Sequence, residues 1–242
     1  MIRSVEDPLG IIKFLEVAIL MKTIKMRCLL LTVALAGLIG FAEAGEINRN
    51  PELDGRVTAF LESHRSSWRD MNVPMADGKL LYDIIVKHNY RRALEIGTST
   101  GHSAIWIAWA LSKTGGKLIT IEIDQRRYKE ALNNFDKAGL SQYIDARLAD
   151  AHALVKDLEG PFDFVFSDAD KDWYTNYFKA IAPKLTVGGC FTAHNMSMAG
   201  WSRGIQDFMD YVHSRPDFQT TINHSSRAGV SISYKKYEMK LK

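Results

Sequence analysis

The chain has 242 residues, 24% of them charged, with a formal net charge of +3 at neutral pH. A balance so near neutrality leaves no basic footprint for nucleic acid, and the length suits one domain built on one core. Of the two cysteines, Cys28 and Cys190, the first falls in a segment expected to be removed, so the domain draws no stability from an internal disulfide.

Lys22, Lys25 and Arg27 precede an apolar run from Cys28 to Phe41 that closes on Ala42-Glu43-Ala44. Basic, apolar and small-x-small in that order is the pattern of a secretory signal peptide. The run is shorter than the roughly 20 residues that a bilayer-crossing helix needs, which favours a cleaved leader. The expectation is cleavage after Ala44 and export to a periplasmic or secreted location, with translation starting at Met21 or Met26. An uncleaved leader would tether the same domain to a membrane. Residues 1–44 are thus read as an extension plus signal, and 45–242 as a single domain.

Leu53, Val57, Phe60 and Leu61, and then Leu80, Leu81, Ile84 and Ile85, recur at helical spacing, so the domain opens with two amphipathic helices. Strand-like runs at 93–96, 117–123, 143–148, 162–167 and 189–194 then alternate with helical patterns at 103–111, 126–138, 151–158 and 173–181. In the second of these helices Tyr128, Ala131, Leu132 and Phe135 fall on one face. Strand–helix alternation implies a parallel sheet covered on both faces. After a further helix at 205–213 the order breaks. Runs at 218–224 and 230–235 are joined by a link too short for a crossover, so they pair antiparallel.

The segment ALEIGTSTGHS at 93–103 runs from a strand through a glycine turn into a helix. Such a turn presents backbone N–H groups and a positive helix end at the strand's C-terminal edge, a cradle for a nucleotide-like ligand. Glu122 ends the next strand, where a carboxylate can accept both ribose hydroxyls of a nucleoside. The spacing between Gly97 and Gly101 lacks the second close glycine of the dinucleotide fingerprint, which disfavours a nicotinamide cofactor. The same five residues also form a nominal nucleophile elbow, with Ser99, Asp168 and His194 in the chain order of an exported serine hydrolase. Against that reading, hydrolase elbows follow several strands, whereas the residues before Gly97 read as helices.

The run FDFVFSDADK at 162–171 is an apolar strand that delivers Asp168, Asp170 and Lys171 at its C-terminal end. The following strand delivers His194 and Asn195 at its own. Asp168, His194 and Asn195 therefore converge as oxygen and nitrogen donors suited to a divalent cation. The plain alternative makes Asp168 and Asp170 helix caps and His194 a hydrogen-bonded edge residue.

In order and spacing, 93–103, Glu122, the Ala149-Asp150-Ala151 run, 162–171 followed by Tyr174, and Val187-Gly188-Gly189 leading to His194-Asn195 resemble the cation-dependent O-methyltransferases, the catechol and caffeoyl-CoA type. The resemblance runs from about Val73 to Lys236, and its most specific part is the Asp-Ala-Asp-Lys block. It implies a Rossmann-like class I methyltransferase fold: α/β, with a seven-stranded mostly parallel sheet, a C-terminal antiparallel hairpin and helices on both faces. It further implies S-adenosyl-L-methionine as cofactor. Glu95, Gly97, Thr98, Gly101 and Ser103 would then surround the methionine part, with the backbone of Val73 nearby. Glu122 would hold the ribose, Asp150 and Ala151 would border the adenine, and Asp168 and Asp170 would face the cofactor. Asp168 and Asn195 match metal ligands and Lys171 matches the general base. The family's usual Asp before that Asn is His194 here; loss of that carboxylate favours softer ions, which sets Mn²⁺, Fe²⁺ or Zn²⁺ beside Mg²⁺ as the cation.

The acceptor implied is a small hydroxylated, aromatic molecule. Lys171 and Trp201 are candidate substrate residues, with Trp173, Met196 and Met198 as further parts of an apolar wall. His64, His88, His102, His152, His213 and His224 show no ligand spacing and read as surface or capping residues. The resemblance also implies a homodimer, for which no residue pattern marks an interface. Export sits awkwardly with a cofactor made in the cytoplasm, which keeps a third reading open: a secreted binding protein that retains the fold without catalysis.

Overall fold

The computed structural model describes residues 48–66, 68 and 70–239; the expected signal and its cleavage site lie outside the described residues. Seven strands form one sheet: β1 (Arg92–Ile96), β2 (Lys117–Glu122), β3 (Ile144–Leu148), β4 (Phe162–Ser167), β5 (Leu185–His194), β6 (Phe218–Asn223) and β7 (Val230–Lys235). Their spatial order is β3-β2-β1-β4-β5-β7-β6. The first five run parallel, and β7 lies antiparallel to both β5 and β6.

Helices α1 (Pro51–Ser63) and α2 (Met75–His88) precede the sheet, and α3 (His102–Thr114), α4 (Gln125–Ala138), α5 (Ala151–Asp157), α6 (Tyr174–Ile181) and α7 (Arg203–His213) link its strands. The chain winds outward from β1 through β2 to β3, then returns to β4 on the other side of β1. Ligands of open α/β sheets bind where the order reverses, outside the carboxyl ends of the strands. Here that crevice lies at the tips of β1, β2 and β4.

Alternation along the strands divides the core between the two faces. Ala93, Phe164, Phe166 and Cys190 pack toward α1 to α4 with Val57, Leu81, Ile105 and Phe135. Leu94, Ile96, Val165 and Phe191 pack toward α5 to α7 with Val155, Phe178 and Phe208. Burying a large apolar side chain contributes about 1.5–3 kcal/mol, so the two layers fix the strand tips from which the site is built.

The expected elements all form, with small shifts. The fifth strand begins at Leu185 rather than at residue 189, and Lys171–Trp173 is a separate 3-10 turn before α6. Leu132 faces solvent, at 41% exposure, contrary to the face assigned from its spacing. Asn134 is buried instead, because its amide donates to the Thr100 carbonyl at 2.9 Å. Among the described residues, no helix is long and apolar enough to cross a membrane.

Candidate active site

The turn after β1 is shaped by backbone handedness. Gly97 and Gly101 both lie at φ +98°, and Ser99 between them is left-handed at φ 49°. Only glycine holds such angles without a steric cost. Gly101 opens α3, and Ser99 points its N–H at Glu122 Oε2, 2.7 Å away. Glu122 Oε1 accepts from the N–H groups of Ile123 at 3.0 Å and Asp124 at 2.8 Å. The carboxylate is thus locked at the tip of β2, with Oε1 saturated by two donors and Oε2 keeping a lone-pair direction for a further one.

Above this turn lies a cavity of about 400 Å³, lined among others by Gly97, Glu122, Asp150, Ala151, Asp168 and Asp170. That is within the size range of small-molecule sites. All six were singled out in the sequence, and the fold brings them together from four separate loops. Asp150 also caps α5, accepting from the His152 N–H at 2.8 Å. Asp170 likewise caps the 3-10 turn, accepting from Asp172 N–H at 3.1 Å. Capping and cavity lining thus coincide at Asp150 and Asp170.

Five other expected cofactor residues lie behind the wall rather than on it. Glu95 is fully buried, with Oε2 accepting from Thr120 at 2.5 Å and Oε1 without a protein partner. Burial pushes its carboxyl up to about 8, against hydrogen bonds from Ser103 and Thr120 that pull it down. The Thr98 hydroxyl meets that of Thr120 at 2.5 Å. The carbonyl of Val73 accepts from His102 Nδ1 at 2.8 Å, and a Cβ on Gly101 would collide with Phe135.

Sequence reasoning missed several neighbours. Met71, Arg127, His152 and Tyr177 also line the cavity. Asp70 binds Arg127 and Arg126 at 2.9 and 2.8 Å, which draws its carboxyl down to about 2. The Asp70 carbonyl takes the Ser99 hydroxyl at 2.5 Å. His152, read as a surface residue, stacks on Trp173 at 3.9 Å with Nε2 3.2 Å from Asp170. His102, read likewise, is fully buried.

At the tips of β4 and β5, Lys171 Nζ donates to Asp168 Oδ1 at 2.7 Å and to the Ala169 carbonyl at 3.1 Å. His194 Nδ1 lies 3.1 Å from Asp168 Oδ2, and its Nε2 lies 2.9 Å from Asp77 Oδ2. Asp77, on α2, was not foreseen. Burial opposes charge on His194, but the two carboxylates outweigh it and raise the imidazole to about 9.

This arrangement tests two of the sequence readings. A hydrolase needs Ser99 on His194, yet the serine hydroxyl is held by Asp70 and both ring nitrogens by carboxylates; the hydrolase reading fails. To ligate a divalent cation His194 must offer a ring lone pair, and ionised carboxylate oxygens only accept. With an acid on each nitrogen, His194 has a proton on each and offers a metal none, so the donor set Asp168, His194 and Asn195 does not suit the cation expected there. Asn195 itself, left-handed at φ 66°, precedes the 3-10 turn Met196–Met198. Trp201 stands 93% exposed and lines a separate open groove, while Met196 is buried in the core.

A cofactor crevice at the reversal point of a seven-stranded sheet with one antiparallel insertion defines a Rossmann-like class I methyltransferase fold. The chain belongs to the O-methyltransferase family, whose sequence model matches residues 55–232. It is similar to the catechol O-methyltransferase of Niastella koreensis, 40% identical over 134 residues, covering 54% of this chain and 60% of that relative. Caffeoyl-CoA O-methyltransferase 1 of Eucalyptus globulus is 32% identical over 187 residues, covering 74% and 75% respectively. Among solved structures, the Bacillus cereus O-methyltransferase in complex with SAH aligns with a TM-score of 0.64 at 23% identity, over 84% of this chain and 97% of that one. The chain therefore spans under two thirds of the first relative's length and three quarters of the second's.

Proposed function

We propose that this chain is an S-adenosylmethionine-dependent O-methyltransferase acting on a hydroxyl of a small, aromatic, catechol-like acceptor. The observation that carries the reading is the placement of Glu122 and Asp168 on one cavity above Gly97. Four carboxylates line that cavity, a complement to a cationic nucleoside cofactor, and the catechol and caffeoyl-CoA O-methyltransferases similar to this chain belong to the same reaction class. The bound cofactor supplies a methyl group already activated on a sulfonium.

The protein's task is then to hold an acceptor oxygen in line and to dispose of its proton. Glu122 would hold the ribose through Oε2, while Asp150 and His152 would flank the base. Lys171 receives the acceptor hydroxyl as a further hydrogen-bond partner. Lys171 and Asp168 stand paired at the tip of β4, so the base role read for Lys171 would belong to the pair, the ammonium holding the acceptor oxygen and the carboxylate taking its proton. The proposal extends to export, which rests on the leader-like segment at 22–44, and to a homodimer, which rests on the resemblance.

Incubation with methyl-labelled S-adenosylmethionine and a panel of catechols, followed by mass spectrometry, tests the reaction. Label on an acceptor oxygen is the expected result. Cofactor binding with no transfer to any acceptor would favour the non-catalytic binding protein.

A further inference from the structure

The tips of β4 and β5 carry a closed charge cluster that the family resemblance does not foresee. Asp77 and His194 are almost fully buried, with side chains 1% and 5% exposed, and Asp168 is 10% exposed. Asp77 Oδ2 accepts from His194 and also from the Ser226 hydroxyl at 2.6 Å, and Ser226 comes from the β6–β7 link. Asp168 Oδ1 accepts from Lys171. Two carboxylates thus face one imidazolium and one ammonium, and their formal charges cancel within the cluster.

We propose that methyl transfer here needs no divalent cation: the His194 imidazolium, clamped between Asp77 and Asp168, and the Lys171 ammonium supply the positive charge themselves. The proposal rests on the methyltransferase reading above and sharpens its substrate class. A metal selects acceptors with two vicinal hydroxyls because both oxygens coordinate it. A lysine holds one oxygen, so monohydric phenols should serve as acceptors beside catechols.

The geometry gives this three supports. First, with a carboxylate on each ring nitrogen, His194 carries an N–H at both positions and offers a metal no lone pair. Second, the carboxylate charge that would attract the ion is already matched by two cations in contact with it, so the ion would have to displace one of them. Third, the clamp is tied from three elements, α2, β5 and the β6–β7 link, so freeing His194 means disturbing all of them.

Electron paramagnetic resonance of Mn²⁺ titrated into the full chain saturated with S-adenosylhomocysteine tests the proposal without relying on turnover. The wild-type protein is expected to leave the free-ion signal intact. The His194→Asp variant, which restores a carboxylate and removes the ring, is expected to bind Mn²⁺. Turnover of wild type in EDTA should stay within about twofold of that in Mg²⁺, where removal of a metal Lewis acid costs orders of magnitude. One Mn²⁺ bound per wild-type chain, or collapse of turnover in EDTA, overturns the proposal. The wild-type result decides even where the variant fails to fold. Calorimetry with S-adenosylhomocysteine on the same sample separates the two levels: no binding sinks the methyltransferase reading, whereas binding with stoichiometric Mn²⁺ sinks only this one.

Discussion

Gly97 and Asp168 meet backbone to backbone: a Cβ on the glycine would stand 2.7 Å from the Asp168 carbonyl oxygen. The glycine turn after β1 and the tip of β4 are therefore one unit. Gly97→Ala adds this collision to the strain of a side chain at φ +98°, and a strained residue of that kind costs about 1–3 kcal/mol. Gly115 supplies the control, since it has φ +73° with nothing near its Cβ position. Urea unfolding should show a clearly larger loss for Gly97→Ala than for Gly115→Ala; equal losses would separate the two tips.

His102 predicts an acid limit to stability. Its Nδ1 donates to Val73 and its Nε2 accepts from Trp106 at 3.2 Å, which fixes a neutral ring. Burial lowers it to about 4, with the Val73 hydrogen bond opposing. The folded value lies below the unfolded one, so this contribution is fully present above about 6.5 and is lost as pH falls toward 4, a change of about 3 kcal/mol. His102→Gln should flatten that part of the stability profile. A variant whose profile parallels wild type between these pH values would refute it.

Lys171→Met should separate chemistry from binding. Turnover is expected to fall by about 10²–10⁴, while affinity for S-adenosylhomocysteine changes little, because Lys171 is not among the residues lining the cofactor cavity. Loss of affinity in step with turnover would instead mark Lys171 as a structural partner of Asp168.

The parts of the site that the sequence made legible are local. Gly97, Gly101, Glu122, Asp168 and Asp170 sit at strand ends within short strand–turn–helix units, where neighbours in sequence are neighbours in space. Asp77 was illegible because α2 brings it to His194 across 117 residues, and an acid in the first turn of a helix reads as a match to the helix dipole. Arg127 carries no local signal on a helix rich in charge; only the fold of the preceding segment sets Asp70 against it. Leu132 misled for a related reason, since the helix rotates to satisfy the Thr100 carbonyl with Asn134. Trp201 shows the opposite failure, an aromatic close in sequence to the site that lines a separate open groove instead.

Asp70 ties the segment bearing Met71 across the cavity mouth through Arg126, Arg127 and Ser99. The ion pairs are half exposed, so Asp70→Asn should change stability by under about 1 kcal/mol. Release of the cofactor should quicken, and its sensitivity to salt should diminish, in stopped-flow displacement. An unchanged release rate would show that the tether does not hold the mouth.

Glu122 decides the central claim. Hydrogen bonds to a charged group contribute about 1.5–3 kcal/mol, so calorimetric titration with S-adenosylhomocysteine should give one site per wild-type chain and binding at least about tenfold weaker in Glu122→Ala. Equal affinity in the two proteins, or no binding to the wild type, would contradict the placement of the cofactor above Gly97.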